Sequence, residues 1–315
     1  NGFAPVVICQ LTHSGRYAKP EGVPAPLIAY NNPLFEKEQP IDKSRIVSDD
    51  KLKRLEEAFG ATALLAQEAG FDGADIKCCH RYLLSEMLSA FTRPGDYGGA
   101  FENRTRLLRN AIFAAKGATS GEFLITSRVN LYDGFAYPYG FGVSPTGGLM
   151  PDLTEPKALV TLLHEELRLP MLDFTIGNPY VNPHVNRPYD GGPYVPDEHP
   201  LEGVARMLGC IGQLKKAFPS LCVIGSGFSY LRQFSPYLAA GAVEQSVCDL
   251  AGFGRMAFAY PDFPRDTLYG EGFNARKTCI ACGKCSALMR AGTVAGCVVR
   301  DGETYLPFYQ AHCCV

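Results

Sequence analysis

The sequence predicts an α/β fold in which a parallel sheet is flanked by helices. Two observations carry that expectation. Short apolar runs rich in Val, Ile, Leu and Phe alternate along the chain with stretches of helical periodicity. The runs are apolar at successive positions, as strands covered on both faces must be. A third feature, two long loops that each follow a strand end, points to the edge of the sheet where function would lie.

The strand candidates, in order, are Val6–Leu11, Gly73–Lys77, Phe123–Asn130, Met171–Ile176, Leu221–Gly225 and Glu244–Asp249. Between the first two, Asp49–Ala69 reads as a helix, because Leu52, Leu55, Phe59, Ala63 and Ala66 form one apolar stripe. Gly70 stands just past its end, where a left-handed turn is needed. Further helices are predicted at Glu102–Lys116, Pro156–Arg168, Leu201–Phe218 and Ser229–Ala240. Both a closed barrel and an open doubly wound sheet satisfy this alternation. Six strands leave a (β/α)8 barrel two short. The opening segment Asn1–Gln10 has no Met and no features of a signal peptide, so the expectation is a chain that begins inside its protein, without the first two strands.

The loops 14–48 and 177–200 follow the first and fourth strands, and the second contains six prolines. Each is either a binding loop or lid at the strand C-termini or surface decoration.

With 46% hydrophobic residues the chain has enough apolar material for a large core, which excludes wholesale disorder. Lys and Arg number 30 against 32 Asp and Glu, so no basic surface for nucleic acid is expected. No apolar run is long enough for a membrane helix. The expected location is cytoplasmic.

Twelve cysteines are many for a chain of this length. Cys279, Cys282 and Cys285 form a C-x2-C-x2-C loop, and Cys297 follows after eleven residues. Four thiolates so spaced suit a [4Fe–4S] cluster. Tetrahedral zinc is the alternative, although structural zinc usually shows paired knuckles and the fourth cysteine here is single. The other cysteines fall in or beside predicted elements and read as small buried apolar residues.

Gly225-Ser-Gly227 and Gly252-Phe-Gly254-Arg255 each follow a strand. The second fits G-x-G-x-x-A with Ala257, but no further strand and acidic residue complete a dinucleotide unit. Backbone N–H groups after the last barrel strands, with Arg255 as a permanent cation, make a phosphate site the better account. Taken alone, a tight turn with a surface arginine would explain the pattern more simply.

Several separated stretches together resemble one family. Gln10-Leu-Thr-His13-Ser-Gly15-Arg16, the segment Phe71 to Ser89 containing Lys77, His80 and Tyr82, Tyr97-Gly-Gly99-Ala-Phe-Glu102-Asn103-Arg104, and Gly252-Phe-Gly254-Arg255 with Tyr260-Pro-Asp262 resemble segments of the Old Yellow Enzyme family of flavin oxidoreductases. With the cysteine cluster, the resemblance is to its iron–sulfur branch, similar to bacterial 2,4-dienoyl-CoA reductase and trimethylamine dehydrogenase.

The resemblance implies a (β/α)8 TIM barrel over residues 1–268 and an iron–sulfur extension over 269–315. It implies FMN at the barrel mouth, held by Gln10, Arg128, Gly227, Gly254 and Arg255, and a [4Fe–4S] cluster on the four cysteines. NAD(P)H would supply electrons, directly or through a flavoprotein partner, and a homo-oligomer is compatible with it. Tyr82 occupies the position of the family's proton donor, and His80 that of a carbonyl-binding residue. Lys77 stands where many members have His or Asn, and His184 lies on a stretch loosely similar to a reductase loop bearing an active-site His.

The expected reaction is reduction of a C=C bond beside a carbonyl or thioester. Two alternatives accompany it. One is an amine dehydrogenase with a cation cage drawn from Tyr137, Tyr139, Tyr180 and Tyr194. The other is a non-catalytic zinc or electron-transfer protein on the same barrel.

Overall fold

The computed structural model describes residues 4–37, 39–190, 194–270 and 272–314. Six strands form one sheet: β1 (Ile8–Leu11), β2 (Gly73–Ile76), β3 (Leu124–Asn130), β4 (Met171–Thr175), β5 (Cys222–Gly225) and β6 (Leu250–Ala251). Every neighbouring pair is parallel, and the order in the sheet is the order in the chain. A doubly wound sheet reverses its order at a switch point. This one does not, so its connectivity is that of a barrel wall. Among the described residues β6 does not pair with β1, and the wall is open.

The helices follow from local chemistry. In α1 (Asp49–Glu68) the Ser48 hydroxyl accepts from the Lys51 N–H at 3.3 Å, and Asp49 and Asp50 favour the first turn through the helix dipole. Its buried stripe, Leu52, Phe59, Ala63 and Ala66, packs on α3 (Arg106–Ala118). Gly60 sits at the contact, where a β-carbon would lie 3.0 Å from the carbonyl oxygen of Ala114. The helix α2 (Leu83–Leu88), which follows β2, is buried along its whole length.

Three predicted helices are segmented. Glu102–Lys116 divides at Thr105 into a turn over Phe101–Arg104 and α3. Pro156–Arg168 becomes α4 (Thr154–Val160) followed by a π-helical turn, Thr161–Glu166. Leu201–Phe218 is α5 (Pro200–Ala217) and remains whole. Ser229–Ala240 becomes a kinked 3-10 stretch, Phe228–Phe234, and α6 (Ser235–Glu244).

The sixth strand requires correction. Glu244–Asp249 was expected to be extended, but α6 runs to Glu244 and the chain pairs only from Leu250. The apolar pair Val247-Cys248 packs against the core from a turn, with Ser246 at φ 55°, so its hydrophobicity marks burial without strand geometry.

The long loop after β1 is anchored over much of its length. Ile28, Ala29 and Tyr30 are buried, and Ile28 bridges to Ile46. Arg16 pairs with both Glu36 and Glu86, and the second Glu86 oxygen accepts from the Ala29 N–H at 3.1 Å. Arg93 donates to the carbonyl oxygens of Ala29 and Val47. Of the predicted alternatives, neither a free lid nor decoration describes this segment.

Beside it, Arg81 is fully buried. It contacts Asp133 Oδ2 at 2.8 Å, the Tyr139 carbonyl at 3.2 Å, the Tyr30 hydroxyl at 3.3 Å and the Ser89 hydroxyl at 2.5 Å. His80 and Arg81 both have positive φ, 65° and 58°, an uncommon conformation for residues with side chains.

Beyond β6, the chain forms α7 (Met256–Ala259) and, near the cysteines, α8 (Lys284–Arg290) and α9 (Gly302–Cys313). The expectation of a cysteine-rich iron–sulfur segment is not upheld. Cys279, Cys282, Cys285 and Cys297 line a void of about 20 Å³, room for about one water and not for an iron–sulfur core. Among the described residues no three His, Cys, Asp or Glu side chains converge to hold a metal ion. That excludes the zinc alternative on the same grounds.

Removing the Arg81 cation would leave Asp133 buried beside unpaired polar groups. Arg81→Met is therefore expected to cost about 3–5 kcal/mol of unfolding free energy in urea titrations. A loss below about 1 kcal/mol would show that the buried pair is dispensable.

Candidate active site

The C-terminal ends of the strands and the loops beyond them enclose a cavity of about 530 Å³, within the ~300–1,000 Å³ typical of ligand and cofactor sites. His80 and Tyr82 enter it from the loop after β2, Arg128 and Asp173 from β3 and β4, and Tyr180 from the loop after β4. Ser226 and Gly227 follow β5, and Gly252, Gly254 and Arg255 follow β6.

The floor is glycine because backbone must approach closely. Gly227 has φ 103°, and a β-carbon there would lie 2.8 Å from Met207 Sδ. Beside Gly254 the space is open. Arg255 forms no ion pair with a carboxylate among the described residues, and burial works against its charge, as does Arg290. Arg187, whose Nη1 donates to Ser286 Oγ at 3.2 Å, adds a further cation. The one carboxylate on the wall, Asp173, is engaged by Arg128 at 3.1 Å, in ion-pair contact though off hydrogen-bond alignment. The described lining thus carries more arginines than carboxylates.

Arg128, Asp173 and the buried Asp75 form an ionic layer along the strands. Arg128 is in register with Asp173 on β4, and Asp75 on β2 is nearby. Asp75 is pushed up to about 6, first by burial and then by the negative charge of Asp173, against the hydrogen bond from Gln10. His80 is held well below its ordinary value by burial, then by Arg128, Lys77 and Arg255, so its imidazole is neutral near pH 7. Its Nε2 is buried and has no hydrogen-bond partner.

Tyr82 and Tyr180 also line the cavity, and Tyr17 packs against both. Tyr82 Oη lies 2.7 Å from Tyr180 Oη, and the Tyr180 ring stacks on Tyr17 at 3.9 Å. The Lys77 ammonium sits 3.7 Å from the centre of the Tyr82 ring, and burial lowers its pKa.

Of the residues predicted from sequence, the structure brings His80, Tyr82, Arg128, Gly227, Gly254 and Arg255 to the lining of one cavity. Lys77 lies behind Tyr82. Gln10 is exposed on β1, and its Nε2 donates to Asp75 at 3.1 Å. His184 contacts the Tyr194 hydroxyl at 2.5 Å outside the cavity lining. Sequence reasoning did not identify Asp173, Asp75 or Tyr17. Asp75 and Asp173 each interrupt an apolar strand run, which was the available signal. Tyr17 adjoins Arg16 of the first motif and carried no signal of its own.

Residues 4–141 match the NADH:flavin oxidoreductase / NADH oxidase family. Among curated relatives of that kind, an NADPH dehydrogenase of Clostridium acetobutylicum is 34% identical over 145 residues, 45% of this chain and 41% of the relative. A putative 12-oxophytodienoate reductase 5 of Oryza sativa subsp. japonica is 26% identical over 82% of this chain and 62% of its own length. The first relative is therefore matched over about two fifths of its length.

Solved structures establish the fold. A 2-naphthoyl-CoA reductase complex superposes with a TM-score of 0.71 at 19% identity, covering 93% of this chain and 42% of that one. An old yellow enzyme homologue from Zymomonas mobilis gives 0.56 at 20% identity, over 85% and 68%. The match to that family lies over residues 4–141, and the narrower assignment to its iron–sulfur branch is not upheld, because among the described residues the four cysteines form no metal site. The [4Fe–4S] cofactor and the amine-dehydrogenase alternative that rested on it fall together. The cage reading also meets a physical obstacle. Of its four tyrosines, Tyr137, Tyr139, Tyr180 and Tyr194, Tyr180 alone lines the cavity. No helix among the described residues is long and apolar enough to cross a membrane.

Asp75 gives this site a pH signature. Its folded pKa is above the unfolded value, so the native state binds more protons between about pH 4 and 6. Stability conferred by the neutral acid is lost as pH rises through that window. Asp75→Asn is therefore expected to gain about 1–3 kcal/mol over the parent at pH 8 and little at pH 4, read by urea denaturation. An equal effect at both pH values would place the titration elsewhere.

Proposed function

We propose that this chain carries the FMN site and substrate mouth of an ene-reductase-type flavin oxidoreductase. It would use NAD(P)H to reduce a C=C bond conjugated to a carbonyl or thioester. One observation carries the reading: a single cavity is lined by cationic arginines and glycines, by a phenol, Tyr82, and by an unpartnered neutral imidazole, His80.

The residues present suit FMN. Gly227 and Gly254 leave backbone accessible to a phosphate, and Arg255 supplies a forked cation not committed to a carboxylate. Arg128 would stand by the pyrimidine edge, where reduction concentrates negative charge. Gln10 belongs to the same reading, as an amide offering donors and an acceptor to that edge. Bound FMN would deliver to the alkene β-carbon a hydride originating from NAD(P)H.

The chain's own residues do the rest. His80, neutral, would donate a hydrogen bond to the substrate carbonyl oxygen from its free Nε2, stabilising the charge that gathers there. Tyr82 Oη would give its proton to the α-carbon, completing the addition of one hydride and one proton. Lys77, behind the Tyr82 ring, favours an electron-rich phenol and disfavours cationic substrates. The thioester member of the substrate class draws support from the naphthoyl-CoA complex among the fold neighbours.

Two measurements test this. Titration of the purified protein with FMN, followed by flavin fluorescence, should show saturable binding that Arg255→Ala weakens about 10- to 100-fold. Stopped-flow kinetics should show Tyr82→Phe slowing the oxidation of reduced flavin by an enone about 10²- to 10⁴-fold, with flavin reduction by NADPH unchanged. No FMN binding by the parent protein would end the proposal.

A further inference from the structure

A phenol that protonates substrate must recover its proton before the next turnover. Tyr82 Oη has one hydrogen-bond partner in the structure, Tyr180 Oη at 2.7 Å. Tyr180 is 41% exposed, and Lys77 covers one face of the Tyr82 ring. Burial, then the hydrogen bond with Tyr82, raises the Tyr180 pKa, so it remains a phenol across the neutral range.

The position of Tyr180 is set with unusual redundancy for a loop residue. Its ring stacks on Tyr17 with centroids 3.9 Å apart and planes 26° from parallel. Asn178, 1% exposed, secures both partners. Its Oδ1 accepts from the Tyr180 N–H at 2.8 Å, and its Nδ2 donates to the Tyr17 hydroxyl at 3.3 Å. Tyr17 comes from the loop after β1, Tyr82 from the loop after β2, and Tyr180 from the loop after β4. Three loops anchored on separate strands thus converge to fix the separation of one pair of hydroxyls.

We propose that Tyr180 is the proton relay between solvent and Tyr82, with Tyr17 and Asn178 as its positioning residues. The inference rests on Tyr82 acting as the proton donor proposed above. In the step, the Tyr82 O–H bond breaks as the substrate α-C–H bond forms. The Tyr82 phenolate then takes the Tyr180 proton, and water at the exposed Tyr180 oxygen restores it. No electrons move in the relay, and its net result is one proton carried from water to substrate.

The experiment compares Tyr180→Phe, Asn178→Ala and Tyr82→Phe in the FMN-loaded protein under multiple turnover with an enone. Flavin reduction is followed separately. Tyr180→Phe keeps the ring and its stacking on Tyr17 but removes the hydroxyl. It should lower steady-state enone turnover about 10-fold, leave flavin reduction unchanged, and make turnover rise with added small acids such as imidazolium, which bypass the relay. Asn178→Ala should show the same turnover loss in milder form. Unchanged turnover, or a loss that buffer acids do not restore, in Tyr180→Phe while Tyr82→Phe is slow would overturn the relay and leave the donor assignment standing. Normal turnover in Tyr82→Phe would overturn both.

Discussion

The cavity depends on one buried cation. Arg81 follows β2 at the point where the chain leaves the sheet, and its guanidinium is closed over by Asp133, Ser89, Tyr30 and the Tyr139 carbonyl. Its two terminal nitrogens are met while its Nε has no partner, and breaking such a buried pair costs more than forming it gains. That asymmetry makes Arg81 a clamp. It holds the backbone at positive φ through His80 and Arg81, a conformation that costs of order 1–3 kcal/mol per residue when nothing compels it. With the chain turned there, His80 and Tyr82, the residues on either side of the clamp, both line the cavity while Arg81 points away from it. A half-buried cation, Arg16, ties the loop after β1 to Glu86 on α2, and the neighbouring Tyr17 packs against Tyr82.

Electrostatics then separate the two walls. On the floor side, Arg255 and Arg187 face a cavity whose wall carboxylate is already paired with Arg128. On the roof, phenols and a neutral imidazole supply proton donors without adding charge. An anionic cofactor and a polarised neutral substrate can share such a space, because each meets the groups that suit it.

Much of this was legible in the sequence. Five of the six strands fall within a residue or two of their predicted positions, because buried parallel strands are continuous apolar runs. The sixth was misplaced because Val247 and Cys248 are apolar for packing reasons that a strand pattern cannot distinguish. His80, Tyr82, Arg128, Gly227, Gly254 and Arg255 were identified from motif and resemblance, and the fold gathers them. The cysteines mislead for a physical reason. Spacing says that four thiols can be near one another, but a cluster also needs a shared interior, and the void they line with Arg255 and Phe258 is only about 20 Å³. The ionic layer and the tyrosine relay were hidden because each joins residues more than 50 positions apart, such as Asp75 with Gln10 and Tyr82 with Tyr180.

A crystal structure of the protein soaked with FMN would test the central claim most directly. The account predicts phosphate density at Gly227, Gly254 and Arg255, Arg81 still closed on Asp133, and the His80 and Tyr82 side chains facing the flavin ring across a substrate-sized gap. Flavin bound elsewhere, or a ring contacting neither His80 nor Tyr82 across that gap, would contradict it.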